Sequence, residues 1–223
     1  MDRFLNQIIC GDCLEVMREL PDKSVDAVVT DPPYGLNFPY LSYDDTRQSL
    51  KELIKRFIPE FFRISQKAFI LCGPTQITLY PEPDWVSCIT WNTTGTFGKY
   101  GYNQWTPVLC YGKDLPGFGN INGITKSDVL RISGGGGVGF MRGEEEKKHT
   151  CPKPLNLMEL VLRRFTTEHS VILDPFLGSG TTAVAALNTG RFFIGIEKEP
   201  KYVEIARRRV EQAQAQQSLF GTI

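Results

Sequence analysis

The sequence has no excess of charge of either sign. Its 25 lysines and arginines balance 25 aspartates and glutamates, so the formal net charge is zero. Without a positive surplus, a protein does not bind nucleic acid through bulk charge, and any such contact needs a local basic patch. The sequence also lacks an apolar run of about 18 residues, the length of a membrane-spanning helix. Because Met1–Gly11 has none of the features of a signal peptide, we expect a cytoplasmic protein.

Paired cysteines are also scarce. Only Cys10 and Cys13 form a C-x-x-C pair, and no second pair completes a zinc site. We therefore expect reduced cysteines and no metal centre. Apolar residues make up 41% of the chain and charged residues 22%, and this balance favours a folded globular protein over a disordered one.

Short apolar runs alternate with helical segments along the chain. This alternation is typical of a mostly parallel sheet covered by helices, and the length fits a single domain over residues 1–223. The predicted strands are Asn6–Gly11, Val25–Thr30, Ala68–Cys72, Trp85–Trp91, Val108–Tyr111, Val171–Leu173 and Phe192–Ile196. The predicted helices are Cys13–Leu20, Thr46–Ser65, Leu155–Phe165, Thr181–Asn188 and Lys201–Gln217.

Residues 112–150 interrupt this alternation. They are rich in glycine, with the run Gly134–Gly137, and show little apolar periodicity. Such a composition predicts a flexible surface insertion, and a long insertion in a compact domain is usually functional or disordered.

A glycine-rich turn joins an apolar strand to a helix at residues 171–182. Gly178 and Gly180 permit positive φ angles and the close approach of a ligand, and the helix offers free N–H groups. Glu197, at the end of the next strand, can accept hydrogen bonds from both hydroxyls of a ribose. The glycines do not fit G-x-G-x-x-G, and Asp174 suits a cationic ligand better than a pyrophosphate. These features favour S-adenosylmethionine over a nicotinamide dinucleotide; for the glycines alone, a plain helix-capping turn is the alternative.

A second motif, Asp31-Pro32-Pro33-Tyr34, follows the predicted strand Val25–Thr30. The two prolines end the strand and fix their own φ angles, so the turn is rigid and lies at the carboxyl edge of the sheet. Asp31 and the Pro32 carbonyl can accept the two hydrogens of an exocyclic amine, and Tyr34 can stack on the base. The alternative is a simple strand-ending turn.

Together the two motifs resemble those of the DNA amino-methyltransferases, which methylate adenine N6 or cytosine N4. The motif at 31–34 precedes the motif at 174–180, an order similar to the permuted group called β. Gly11-Asp12 matches the family's acid near the adenine of the cofactor. Residues 149–154 resemble the segment before the cofactor strand, although Thr150 stands where a proline is usual. The cofactor-binding residues implied by the resemblance are Asp12, Lys153, Asp174, Phe176, Gly178, Ser179, Gly180, Thr181 and Glu197.

The resemblance also implies the architecture and the partners. The expected fold is the Rossmann-like fold of S-adenosylmethionine-dependent methyltransferases: an α/β domain with a mostly parallel seven-stranded sheet, helices on both faces and a circularly permuted motif order. The expected cofactor is S-adenosylmethionine and the expected partner is double-stranded DNA, with a homodimer as a further possibility. The segment 112–150 falls where this group carries its target-recognition region. Restriction-modification systems are one setting for such an enzyme.

The nature of the target base is only partly indicated. Asp31 at the first position of its motif is, in the family, commoner in adenine enzymes, so adenine N6 is favoured and cytosine N4 stays open. Methylation at C5 of cytosine needs a cysteine nucleophile, typically in Pro-Cys, and none of the six cysteines follows a proline. An RNA methyltransferase and a non-catalytic DNA-binding protein are the remaining alternatives.

Two further segments carry hypotheses. The loop Gly35–Asp45 contains Phe38, Tyr40 and Tyr43, which either close over a flipped base or only pack the loop. At the other end of the chain, Gln216–Phe220 resembles the pentapeptide by which bacterial replication proteins bind the sliding clamp. Its apolar anchors, Leu219 and Phe220, lie in a tail that we expect to be flexible over residues 218–223. For this tail, folding back on the core is the favoured alternative.

Overall fold

A computed structural model of the chain describes residues 1–91, 96–98, 101–103, 105–112, 127–132 and 153–219. The helices in these ranges are α1 (Cys13–Glu19), α2 (Arg47–Ile64), α3 (Leu155–Phe165), α4 (Thr181–Asn188) and α5 (Pro200–Leu219). The strands are β1 (Gln7–Cys10), β2 (Ala27–Thr30), β3 (Ala68–Leu71), β4 (Trp85–Trp91), β5 (Thr96–Gly98), β6 (Gly101–Asn103), β7 (Trp105–Tyr111), β8 (Val129–Ile132), β9 (Val171–Asp174) and β10 (Phe192–Glu197).

Eight strands form one sheet in the order β1-β10-β9-β2-β3-β7-β4-β8. Strand β7 runs antiparallel to both of its neighbours, whereas every other pairing is parallel. The mostly parallel α/β fold is therefore confirmed, and all seven predicted strands belong to this sheet. The expected count of seven was wrong by one, because β8 adds an eighth strand at the edge. Strands β5 and β6 form a separate two-stranded sheet.

The extra strand lies inside the predicted insertion. Leu130 and Ile132 are buried while Arg131 between them is exposed, so the side chains alternate as expected for a strand with one covered face. The run of four residues is too short for a reliable period-two signal in the sequence. Residues 129–132 thus belong to the sheet rather than to a surface insertion. The other described residues of 112–150 are 112, 127 and 128.

The helices cover both faces of the sheet. Adjacent residues of β2 point to opposite sides, so that Val28 packs in one apolar layer and Val29 in the other. Strands β2 and β3 are completely buried, as their continuous apolar sequences require. The layer that contains Val29 includes residues of α3, α4 and α5, and the layer that contains Val28 includes residues of α1 and α2.

The end of the chain differs from the predicted tail. Helix α5 continues to Leu219, so Gln216–Leu219 is helical, and Phe220 lies outside the described residues. The predicted helix, Lys201–Gln217, was short by one residue at its start and by two at its end; neither Ser218 nor Leu219 is a helix breaker. Among the described helices, none combines the length and the apolar character needed to cross a membrane.

Candidate active site

The four predicted acidic positions meet at one edge of the sheet. Strands β1, β10, β9 and β2 are parallel neighbours, so their carboxyl ends lie side by side. Asp12, Asp31, Asp174 and Glu197 stand at or just after these ends and line one cleft of about 210 Å³. Every residue predicted to bind the cofactor lines this cleft except Gly180, and Asp31 and Pro33 of the proline motif line it too.

Asp174 is held by the strand beside it. Its Oδ1 accepts a hydrogen bond from the Thr30 hydroxyl at 2.7 Å and from the Phe176 backbone N–H at 3.0 Å. The side chain is only 3% exposed. Burial raises the pKa of this carboxyl to about 6, although the hydrogen bonds oppose the shift. The carboxylate that faces the cleft is therefore sensitive to mild acid.

The Glu197 carboxylate links the glycine-rich turn to the turn that follows β10. Its Oε2 accepts the Gly178 N–H and its Oε1 accepts the Glu199 N–H, each at 2.8 Å. Burial raises the pKa of this carboxyl as well. Since each carboxylate oxygen accepts about two hydrogen bonds, Glu197 keeps acceptor capacity for a ligand while it shapes the glycine-rich turn.

The glycine-rich turn is packed tightly against α5. Gly178 and Gly180 both have positive φ, at 56° and 88°, and a Cβ at Gly180 would lie 2.8 Å from the Cβ of Ala206. Gly180 therefore serves helix packing rather than the cleft wall.

Arg209 of α5 braces the same turn and was not predicted. Its guanidinium donates to the Ser179 carbonyl at 2.7 Å, to the Ser179 hydroxyl at 2.9 Å and to the Thr181 hydroxyl at 3.2 Å. No signal in the sequence marks Arg209 out, because it belongs to a run of three arginines and its partners lie about 30 positions earlier.

The Asp31 carboxylate of the proline motif has two partners, one near to it in the sequence and one far from it. The Tyr34 hydroxyl donates to Asp31 Oδ1 at 2.7 Å, and the Lys153 ammonium binds Asp31 Oδ2 at 2.5 Å. Burial, and then the charge of Asp31, raise the pKa of Tyr34 well above its ordinary value. Lys153 was assigned to the cofactor by resemblance, whereas its ammonium here pairs with the carboxylate of the other motif.

Asp12 lies at the start of α1. Its Oδ1 caps the helix by accepting the Leu14 N–H at 3.0 Å, and its Oδ2 lies 3.5 Å from the ammonium of Lys198. Both side chains line the cleft. Lys198 was not predicted, although its place directly after Glu197 at the end of β10 is a usable signal.

The loop 35–45 is folded around Asp45, which is 2% exposed. The Asp45 carboxylate accepts three backbone N–H groups, from Gly35 at 2.7 Å, Leu36 at 3.0 Å and Phe38 at 3.1 Å. This arrangement places aromatic rings at the cleft wall, and the rings that line it are those of Phe38, Tyr40 and Tyr43. The aromatic residues of this loop were predicted from the sequence, whereas the role of Asp45 was not, because it depends on how the loop folds.

Proteins of known class are similar to this chain over most of its length. The type II methyltransferase M.HinfI of Haemophilus influenzae is 25% identical, over 94% of this chain and 69% of that protein. M.HpaI of Haemophilus parainfluenzae is 28% identical, over 92% of this chain and 74% of that protein.

Solved structures share the architecture. M1.HpyAVI superposes with a TM-score of 0.65 at 26% identity, over 92% of this chain and 98% of that one, and it has also been solved as a complex with S-adenosylmethionine. The cytosine-N4-specific PvuII DNA methyltransferase has a TM-score of 0.71 over 94% of this chain and 90% of that one. At 16% identity, this second likeness concerns the fold alone.

The family follows from a direct match. The model of the DNA methylase family N6_N4_Mtase matches residues 89–208, more than half of the chain. This range includes the glycine-rich turn, Glu197 and the first part of α5. The resemblance read from the two sequence motifs is thereby confirmed, and the chain belongs to the N6/N4 DNA methylase family.

Proposed function

We propose that this protein transfers a methyl group from S-adenosylmethionine to the N6 amine of adenine in double-stranded DNA. The observation that carries the proposal is that Asp31 and Pro33 of the proline motif line the same cleft as the turn that follows Asp174. This placement puts acceptors for an amine beside acceptors for a nucleoside. Adenine is favoured over cytosine N4 by Asp31 at the first position of its motif.

The carboxylates that line the cleft suit the chemical groups of S-adenosylmethionine. Glu197 has acceptor capacity for the ribose hydroxyls, and Asp174 offers a negative charge to a cationic ligand. The cofactor supplies a methyl group bound to a sulfonium, which is an electrophile that needs no covalent enzyme intermediate. The residues of the chain therefore have to bind, orient and exclude water.

The chemistry of the target amine is assigned to the proline motif. The lone pair of the amine is delocalised into the base ring, which makes the nitrogen a weak nucleophile. Hydrogen bonds from its two N–H groups to Asp31 and the Pro32 carbonyl favour a more tetrahedral nitrogen with an available lone pair. The nitrogen attacks the methyl carbon, the bonding pair stays on sulfur, and one N–H proton then leaves toward Asp31 or solvent. A base in a duplex reaches this site only when flipped out, at a cost of a few kcal/mol.

The test is methylation of unmethylated plasmid DNA with labelled S-adenosylmethionine, followed by nucleoside mass spectrometry. We expect N6-methyladenine. N4-methylcytosine would support the second candidate, which is the specificity of the PvuII enzyme of similar fold. If no nucleoside is modified although the cofactor binds, DNA methylation is contradicted, and RNA becomes the substrate to test.

Mild acid should weaken cofactor binding. The pKa of Asp174 is about 6 because the carboxyl is buried, so it loses its negative charge as the pH falls through that value. A neutral side chain attracts a cation less, and affinity should therefore fall as the pH falls. Calorimetric titrations over this range should show a steeper slope in the wild type than in Asp174→Asn. Equal pH dependence of the affinity in the two proteins would mean that Asp174 does not interact with the cofactor.

Tyr40 tests the role of the aromatic loop. Tyr40→Ala should lower kcat/KM for DNA about tenfold, the effect of losing one stacking contact to a base, while cofactor affinity stays unchanged. Leu41→Ala is the matched control, because Leu41 is 76% exposed on the same loop and does not line the cleft. Unchanged kcat/KM in Tyr40→Ala would contradict closure of the loop over the base.

The other partners named from the sequence stay predictions. The target-recognition role of 112–150 rests on resemblance, as does a homodimer. For the sliding clamp, Gln216–Leu219 lies in α5, so binding would require this last turn to unfold. Binding of a peptide spanning 216–220 to a bacterial clamp is the measurement, and no binding at high micromolar concentration would end the hypothesis.

A further inference from the structure

Lys153 contacts the two groups of the proline motif that a target base would use, the Asp31 carboxylate and the Tyr34 ring. Its ammonium lies 2.5 Å from Asp31 Oδ2, where an exocyclic amine would donate. The same ammonium lies 5.0 Å from the centre of the Tyr34 ring, on which a base would stack. One cationic group thus blocks the hydrogen-bond acceptor and one face of the aromatic ring together.

The remaining surface of Asp31 offers little alternative. Its Oδ1 already accepts the Tyr34 hydroxyl, and the side chains of Asp31 and Lys153 are only 23% and 17% exposed. Either oxygen can accept a second hydrogen bond, but the ammonium also lies over the Tyr34 ring. A base that stacks on this face therefore has to replace the ammonium rather than bind beside it. The exchange keeps a hydrogen bond to the same oxygen but gives up an ion pair, because a neutral N–H donor takes the place of a cationic one.

We propose that Lys153 holds the place of the target amine on Asp31 in the DNA-free protein and is displaced when the base enters. Lys153 is then a positioning residue that keeps Asp31 oriented and paired until the substrate arrives. This inference rests on the proposed function, since it needs a flipped base with an exocyclic amine. It differs from the cofactor-binding role that the family resemblance implies for Lys153.

The effect of replacing Lys153 on DNA affinity distinguishes a lysine that contacts DNA from one that competes with the base for Asp31. Loss of a lysine that contacts DNA weakens binding, because each phosphate contact contributes to affinity. Loss of a competitor for Asp31 instead strengthens binding. We therefore expect Lys153→Met to bind a duplex with the mapped methylation site about fivefold more tightly than the wild type, the effect of removing one partly exposed ion pair. A scrambled duplex should show no gain.

The experiment measures fluorescence anisotropy of the labelled duplex with S-adenosylhomocysteine present, so that no methyl transfer occurs. Lys153→Arg should behave as the wild type because it keeps the charge. Lys55→Met is the control and should bring no gain, since Lys55 also forms an ion pair, with Glu52, but lies on α2 outside the cleft. In an Asp31→Ala background, Lys153→Met should bring no gain, because the competition is for Asp31.

Several outcomes would overturn the inference. These are weaker or unchanged DNA binding by Lys153→Met, a gain that persists without Asp31, or a large loss of S-adenosylhomocysteine affinity, which would assign Lys153 to the cofactor. If Lys153→Met does not fold, Lys153→Leu, which also carries no hydrogen-bond donor, takes its place with the same expectations. Failure of the proposed function itself would appear separately, as a wild-type protein that methylates no DNA.

Discussion

Replacing Asp31 with alanine should lower the rate of methyl transfer about a thousandfold, the upper range for removal of one group that stabilises the transition state. The amine would lose its charged acceptor, and the Tyr34 hydroxyl and Lys153 ammonium would lose their common partner. Cofactor affinity should change little, because Asp31 belongs to the other motif. Single-turnover transfer of a labelled methyl group to DNA measures the rate, and calorimetry measures the affinity.

Asp31→Asn is the graded control for this prediction. The amide keeps one oxygen that accepts a hydrogen bond but carries no negative charge, so its loss of rate should be clearly smaller than that of Asp31→Ala. Thermal melting establishes whether either variant is destabilised by leaving Lys153 unpaired at a partly buried site. Turnover of Asp31→Ala close to the wild-type rate would exclude Asp31 from the chemistry.

Replacing Glu197 with alanine should weaken S-adenosylhomocysteine binding about a hundredfold, the sum expected for loss of hydrogen bonds to a charged acceptor. The variant removes the acceptor for the ribose hydroxyls. It also leaves the N–H groups of Gly178 and Glu199 without their present partner, which loosens the glycine-rich turn. Glu204→Ala, an exposed carboxylate on α5 outside the cleft, is the control and should bind normally.

A deoxyribose analogue separates the two effects of Glu197. If the carboxylate binds the ribose, the wild type should lose affinity for 2′-deoxy-S-adenosylhomocysteine, and Glu197→Ala should treat the two ligands alike. An equal penalty in both proteins would mean that Glu197 acts only by shaping the turn. Calorimetric affinities for the two ligands and two proteins decide between these roles.

Local patterns in the sequence were sufficient to predict most helices and strands of the fold. The bounds of α3, α4 and β4 match the structure to the residue, because apolar periodicity, prolines and glycines act within a few residues on φ and ψ. The strand β8 was missed since four residues carry too little periodicity, and its partner β4 is about 40 positions away. The short sheet of β5 and β6 was missed for the same reason of length.

The sequence by itself determined the family, the cofactor motif and the proline motif. Each motif is a strand end with fixed turn chemistry, and parallel strands bring such ends to a common edge. Only the tertiary structure decided which side chains meet there. The Asp31–Lys153 pair spans 122 positions, and Arg209 reaches Ser179 from another helix. Contacts of this kind depend on strand order and helix packing, which arise from the whole chain and not from any local pattern.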